Sequence, residues 1–157
     1  MSKVVIIMGS QSDLEWSKKI AREATRLGLE VVMKIASAHK VPLKCLEIIQ
    51  EFEMENVVFI TVAGRSNALS GFTDGQTLCP VIACPPYSEK YSGTDIYSSL
   101  RMPSGIAPMV VIEPENAALA AAKIFALTDD SVRAAVFTTQ ALNRQKLTED
   151  NNSLISA

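Results

Sequence analysis

Val4-Val5-Ile6-Ile7-Met8 is an unbroken apolar run, β-branched at four of its positions, and it stops abruptly at Gly9. A strand with one face in water alternates polar and apolar residues. A run without alternation needs cover on both faces, which is the environment of a buried parallel sheet. The period then changes. From about Asp13 the apolar residues Ile20, Ala24 and Leu27 recur at helical spacing, and Gly28 ends the segment.

The alternation of periods continues along the chain. Glu30–Ala36 reads as a second strand, Val57–Val62 as a third, Pro80–Cys84 as a fourth and Ala107–Ile112 as a fifth. A helix opens at Val41-Pro42, where proline fits the first turn, and carries Leu46, Ile49 and Phe52 to Glu53. Pro114 starts an Ala-rich helix through Leu127, and a last helix is expected from about Asp130 to Leu147. Strands separated by helices predict a three-layer, doubly wound α/β domain with right-handed crossovers and an extra C-terminal helix. No repeat or linker divides residues 1–157, which read as one catalytic domain with a disordered tail at 151–157.

Composition narrows the function. The net charge is −2 and no basic run occurs, which argues against nucleic acid or an anionic membrane as the main partner. The first apolar run is too short for a membrane span or a signal-peptide core. Cys45, Cys79 and Cys84 are odd in number and lack C-x-x-C spacing, so they read as reduced thiols of a cytoplasmic protein. With one histidine, a dedicated transition-metal site is not expected.

In a parallel sheet all strand-to-helix loops gather at the carboxyl edge, and ligands bind where the strand order reverses. For the flavodoxin-like order 2-1-3-4-5, three loops become neighbours around one crevice. They are Gly9-Ser10-Gln11-Ser12-Asp13, then Ser37-Ala38-His39-Lys40, then Ala63-Gly64-Arg65-Ser66-Asn67-Ala68-Leu69-Ser70-Gly71. The first offers backbone N–H groups and hydroxyls to a phosphate. Asp13 would repel a phosphate, so it suits a helix cap or ribose hydroxyls. Lys40 and Arg65 bring positive charge for an anionic ligand. His39, the sole imidazole, is the natural proton-transfer group near neutral pH, although a loop histidine can equally be a cap.

These loops, together with Ala83-Cys84-Pro85-Pro86 and the stretch Asp95-Ile96-Tyr97-Ser98-Ser99-Leu100-Arg101-Met102-Pro103-Ser104-Gly105, resemble the PurE family of purine biosynthesis. The resemblance runs to about Leu127. The mutase class of that family is similar to Ser-Ala-His-Arg-Thr at the second loop and Ala-Gly-Gly-Ala-Ala-His at the third. This chain has Lys40 and Arg65-Ser66-Asn67-Ala68 there, and so resembles the carboxylase class.

The resemblance implies carboxylation of aminoimidazole ribonucleotide by carbon dioxide to carboxyaminoimidazole ribonucleotide, with no ATP, biotin or metal cofactor. It implies His39 as the base, with Gly9, Ser10, Ser12, Asp13, Ser37, Ala38 and Lys40 on the nucleotide. Within that set Ser10 suits the phosphate and Asp13 the ribose. Gly64, Arg65, Ser66 and Asn67 would shape the carbon dioxide side, and Met102, Pro103 and Ser104 would close the pocket from the same or an adjacent subunit. A symmetric homo-oligomer, often an octamer, is implied too. The Ala-rich helix, and Val132, Val136, Phe137 and Leu142 of the last one, are the residues expected to serve it.

Other readings follow from the same residues. A phosphoacceptor receiver domain needs an acidic pair after strand one and an aspartate ending strand three, where this chain has Met8-Gly9 and Ala63-Gly64. A flavodoxin-like carrier of flavin mononucleotide could use the Ser-rich first loop, with Tyr87 or Tyr91 on the ring. A cysteine hydrolase would pair Cys84 with His39. The mutase is the nearest chemical alternative, differing only in its N-carboxylated donor.

Overall fold

The apolar run that opens the chain becomes β1 (Lys3–Met8), the centre of the sheet, with every one of its residues buried. A computed structural model describes residues 1–155, apart from the side chains of Tyr91 and Ile155. β1 pairs in parallel with β2 (Glu30–Ile35) on one side and β3 (Val57–Val62) on the other. β4 (Val81–Ala83) follows β3, and β5 (Met109–Val110) forms the far edge. The order is β2-β1-β3-β4-β5, all parallel. This is the flavodoxin-like three-layer arrangement expected from the sequence.

Because strand side chains alternate, each strand feeds two separate cores. Val4, Ile6, Val58 and Ile60 face α1 (Leu14–Arg26) and α5 (Pro114–Phe125). Val5, Ile7, Val57 and Phe59 face α2 (Pro42–Phe52) and Leu69 of α3 (Ala68–Asp74). Full burial of each Val, Ile or Phe is worth about 1.5–3 kcal/mol, so the centre of the sheet is the most firmly held part of the molecule. Gly28 ends α1 at φ +84°, the left-handed backbone that glycine adopts without strain.

Several expectations change in detail. The predicted fourth and fifth strands shorten to three and two residues. Pro80, Pro85 and Pro108 flank these strands and have no N–H to give a ladder. Two short helices were not expected from the sequence: α3, and α4 (Tyr97–Leu100), which follows a 3-10 stretch over Lys90–Ile96.

The Ala-rich α5 is buried within its own domain. Ala117, Ala118, Ala121 and Ala122 are fully buried against the sheet, α1 and the last helix. That helix, α6, spans Asp130–Ile155. Asp129 caps it, accepting from the N–H groups of Ser131 (3.0 Å) and Val132 (3.2 Å), while its second oxygen accepts from the Ser2 hydroxyl (2.8 Å). Val132 and Val136 pack into the domain's own core, whereas Phe137 and Leu142 are exposed. Residues 151–155 continue α6 where a disordered tail was expected. Once a helix is nucleated and docked at one end, each further residue adds a hydrogen bond at low cost. Residues 156 and 157 lie outside the described residues. No helix among those described is long and apolar enough to cross a membrane.

Candidate active site

At the carboxyl edge, where the order reverses between β1 and β3, the three loops enclose a cleft of about 480 Å³. Gly9, Ser10, Ser12 and Asp13 line it from the first loop, and Ser37, His39 and Lys40 from the second. Gly64, Arg65 and Ser66 line it from the third. The topology thus brings together nine of the eleven residues that sequence reading had placed on the nucleotide and carboxylate sides, with His39 between them.

The first loop is internally bonded. The Asp13 carboxylate accepts from the Ser10 N–H at 2.9 Å, with the Ser10 hydroxyl at 3.2 Å. The Ser10 and Ser12 hydroxyls lie 2.6 Å apart, so one serves the other. Asp13 therefore already occupies groups that sequence reading had offered to a phosphate. Partial burial pushes its carboxyl above the ordinary value, against the opposing pull of the Ser10 hydrogen bonds and the Arg65 charge. The N–H of Gly9 donates to the Val62 carbonyl at 2.9 Å and pins this loop to the end of β3.

The second loop is a tight turn. The Ser37 carbonyl accepts from the N–H groups of Lys40 (3.2 Å) and Val41 (2.9 Å), which projects His39 and Lys40 outward. Both are exposed, and no described side chain holds the imidazole. Lys40 and Arg65 form no ion pair among the described residues. With Asp13 as the one carboxylate lining the cleft, the site carries an excess of positive charge that suits a phosphate or carboxylate.

The third loop carries a backbone outlier. Arg65 sits at φ +60°, a left-handed conformation that costs a residue other than glycine about 1–3 kcal/mol and clusters at functional sites. Beside it lies a second, mainly apolar pocket of about 240 Å³, lined among others by Trp16, Pro85, Ile96 and Ile112. Gly64, Arg65, Pro86, Tyr87 and Ser88 line both spaces, so the two adjoin.

Five expected residues are elsewhere. Asn67 is buried: its Oδ1 accepts from the Ser70 N–H (3.2 Å) to cap α3, and its Nδ2 donates to the Ser99 hydroxyl (2.9 Å). Ala38 packs into the core beneath the turn. Met102 and Pro103 line a different cavity of about 290 Å³ on the far side of the third loop, where Met102 packs close to Gly71. Ser104 is exposed. None of the last three lines the cleft.

Conversely, Ser88 lines the cleft without having been singled out, and Tyr87 had been considered only for a flavin. Proline pairs that cut off a strand at the carboxyl edge, as Pro85-Pro86 do, are the signal that could have found them. Cys84 is fully buried and its thiol is pushed up to about 12 by burial, so no thiolate forms there at neutral pH and the cysteine-hydrolase reading falls.

Comparison with known proteins places the fold in a family. The family model for AIR carboxylase matches residues 3–146. A phosphoribosylaminoimidazole carboxylase of Archaeoglobus fulgidus is 61% identical over 97% of this chain and 84% of its own length. The protein of the same name from Treponema denticola is 48% identical over 96% of each chain. A crystal structure of Treponema denticola PurE superposes with a TM-score of 0.96 at 47% identity, covering 98% of this chain and 99% of that one. The chain belongs to the AIR carboxylase family, the PurE enzymes of purine biosynthesis, and is with them a carboxy-lyase.

Proposed function

We propose that the cleft binds aminoimidazole ribonucleotide and that free carbon dioxide carboxylates it to carboxyaminoimidazole ribonucleotide, without ATP or biotin. The observation that carries this reading is the convergence of His39, Lys40 and Arg65 with the Ser10–Asp13 loop in one cleft. Lys40 and the hydroxyls of Ser10, Ser12 and Ser37 serve the phosphate, and Asp13 accepts from the ribose hydroxyls. Ser10 must release Asp13 or Ser12 to do so.

The ring amine makes the neighbouring imidazole carbon an enamine-like nucleophile. That carbon attacks carbon dioxide, forms the new C–C bond, and for a moment bears both its proton and the carboxylate. His39 removes the proton, the electron pair returns to the ring, and aromaticity is restored. The protonated imidazole returns that proton in the reverse decarboxylation. Arg65 receives the carboxylate. The apolar pocket adjoining Gly64 and Arg65 gives an unhydrated gas a place that water disfavours.

Carbon dioxide is preferred over an N-carboxylated donor because Lys40 and Arg65, both in the cleft, depart from the mutase pattern. The reading includes a single catalytic domain acting in the cytoplasm as a homo-oligomer. Its test is product formation from aminoimidazole ribonucleotide and bicarbonate. Carboxylated nucleotide should form without ATP, and carbonic anhydrase should raise the rate when carbon dioxide supply is limiting. No product under either condition would overturn the reading.

A further inference from the structure

The strained loop at Arg65 is held from outside the cleft. The Arg65 N–H donates to the Asp95 carboxylate at 3.2 Å. The Ser98 hydroxyl lies 3.0 Å from the Arg65 carbonyl and 2.8 Å from the Asp95 carbonyl, both within its reach as donor. Its oxygen in turn accepts from the Asn67 N–H at 3.0 Å. Both peptide units flanking Arg65 are thereby fixed, along with the amide two residues on. An arginine free of such restraint would relax to negative φ, and its guanidinium would leave its position over the cleft.

Glycine takes φ +60° without strain, whereas an arginine there is strained and needs neighbouring groups to hold it. Here the position holds an exposed arginine with no ion-pair partner among the described residues, lining the cleft. The restraint therefore fixes a side chain whose place is the lining of the cleft. We infer that Asp95 and Ser98 are positioning residues: they hold Arg65 left-handed so that its guanidinium meets the carboxylate of the nucleotide. The inference rests on the proposed role of Arg65. Neither Asp95 nor Ser98 touches the reacting atoms.

Calorimetry with two ligands tests it: carboxyaminoimidazole ribonucleotide, and aminoimidazole ribonucleotide, which lacks the carboxylate. The unmodified protein should bind the carboxylated nucleotide about tenfold tighter, the scale of one charge-assisted hydrogen bond. Ser98→Ala should bring that preference to within about twofold of unity, with affinity for the uncarboxylated nucleotide little changed. Ser98→Thr, which keeps a hydroxyl, should restore it. Arg65→Gly should lose the preference by itself, and adding Ser98→Ala to it should change nothing more, because glycine holds φ +60° unaided.

Retention of the preference in Ser98→Ala would overturn the inference. So would an equal fall in affinity for the uncarboxylated nucleotide from Ser98→Ala in the arginine and glycine backgrounds, which would mark a purely structural role. If Arg65→Gly loses the preference while Ser98→Ala keeps it, the clamp fails and the proposed function stands. If the unmodified protein shows no preference, the carboxylate role of Arg65 fails and the clamp with it.

Discussion

His39 and Asp13 sit in one cleft but meet opposite demands. His39 projects from a turn with no described side chain holding it, so its role depends on what the bound nucleotide presents to it. His39→Asn keeps size and hydrogen bonding but cannot take a proton at neutral pH. Turnover should fall by about a hundredfold or more, while nucleotide affinity by calorimetry stays nearly constant. Near-normal turnover would remove His39 from the chemistry.

Asp13 is held by Ser10 in a partly buried position that raises its carboxyl above the ordinary value. Relative to the unfolded chain, folding therefore favours its protonated form. The associated stability is complete below the unfolded-state value and is lost as pH rises through the folded one. At neutral pH the ionised group therefore works against the unliganded fold. Asp13→Asn should raise the melting temperature of the free protein at pH 7 and weaken nucleotide binding, and the thermal gain should vanish in acid. A lower melting temperature at pH 7 would contradict this account of Asp13.

At the scale of elements, legibility followed how much information lies within one element. β1, β3, α1 and α2 announce themselves because burial on both faces, or on one helical stripe, writes an unambiguous period into the chain. β5 falls within the stretch expected for it, Ala107–Ile112, but is only two residues long, and two paired residues carry no period to mark their ends. α3 carries too little pattern to stand out: at seven residues with Gly71 inside, it is sustained by its Asn67 cap and by packing of Leu69. Asparagine is a favoured cap residue, and Asn67 serves as the cap of α3 in place of lining the cleft. The placement of Met102 against α3 lay beyond reach, since no local pattern tells which side of a loop a distant segment covers.

α6 starts at Asp130, where the sequence places it, and Asp129 caps that start. Hydrogen bonds from Ser131 and Ser2, then from the Val132 and Ser131 amides, pull its carboxyl down to about 2. A depressed carboxyl contributes stability above its ordinary value that is lost as pH falls through the folded one. Asp129→Ala should lower the melting temperature at neutral pH, and the gap from the parent should close between the ordinary carboxylate range and about pH 2. A gap independent of pH would assign the effect to packing instead of the cap.

For the whole molecule, a single chain leaves two things open. The cleft faces water at His39, Lys40 and Tyr87, whereas capture of carbon dioxide and proton transfer at carbon favour a dry site. Beyond its first turns α6 carries Leu142, Leu147 and Leu154 exposed. At 100° per residue these point to more than one side of the helix. We propose that both are covered in a homo-oligomer of at least four chains, with the octamer implied by the family resemblance. Since Val132 and Val136 belong to the subunit's own core, the probe must lie further along the helix. Leu142→Glu combined with Leu147→Glu should reduce the mass seen by light scattering and lower activity, while far-UV circular dichroism stays native. A parent mass near 17.0 kDa with full activity would refute the assembly.

The most direct test of the central claim compares two carboxyl donors in the steady state. Free carbon dioxide with aminoimidazole ribonucleotide should give the higher specificity constant, and the N-carboxylated nucleotide should be turned over poorly or only after it has decayed to release carbon dioxide. A higher specificity constant for the N-carboxylated nucleotide would make the protein a mutase and contradict the account.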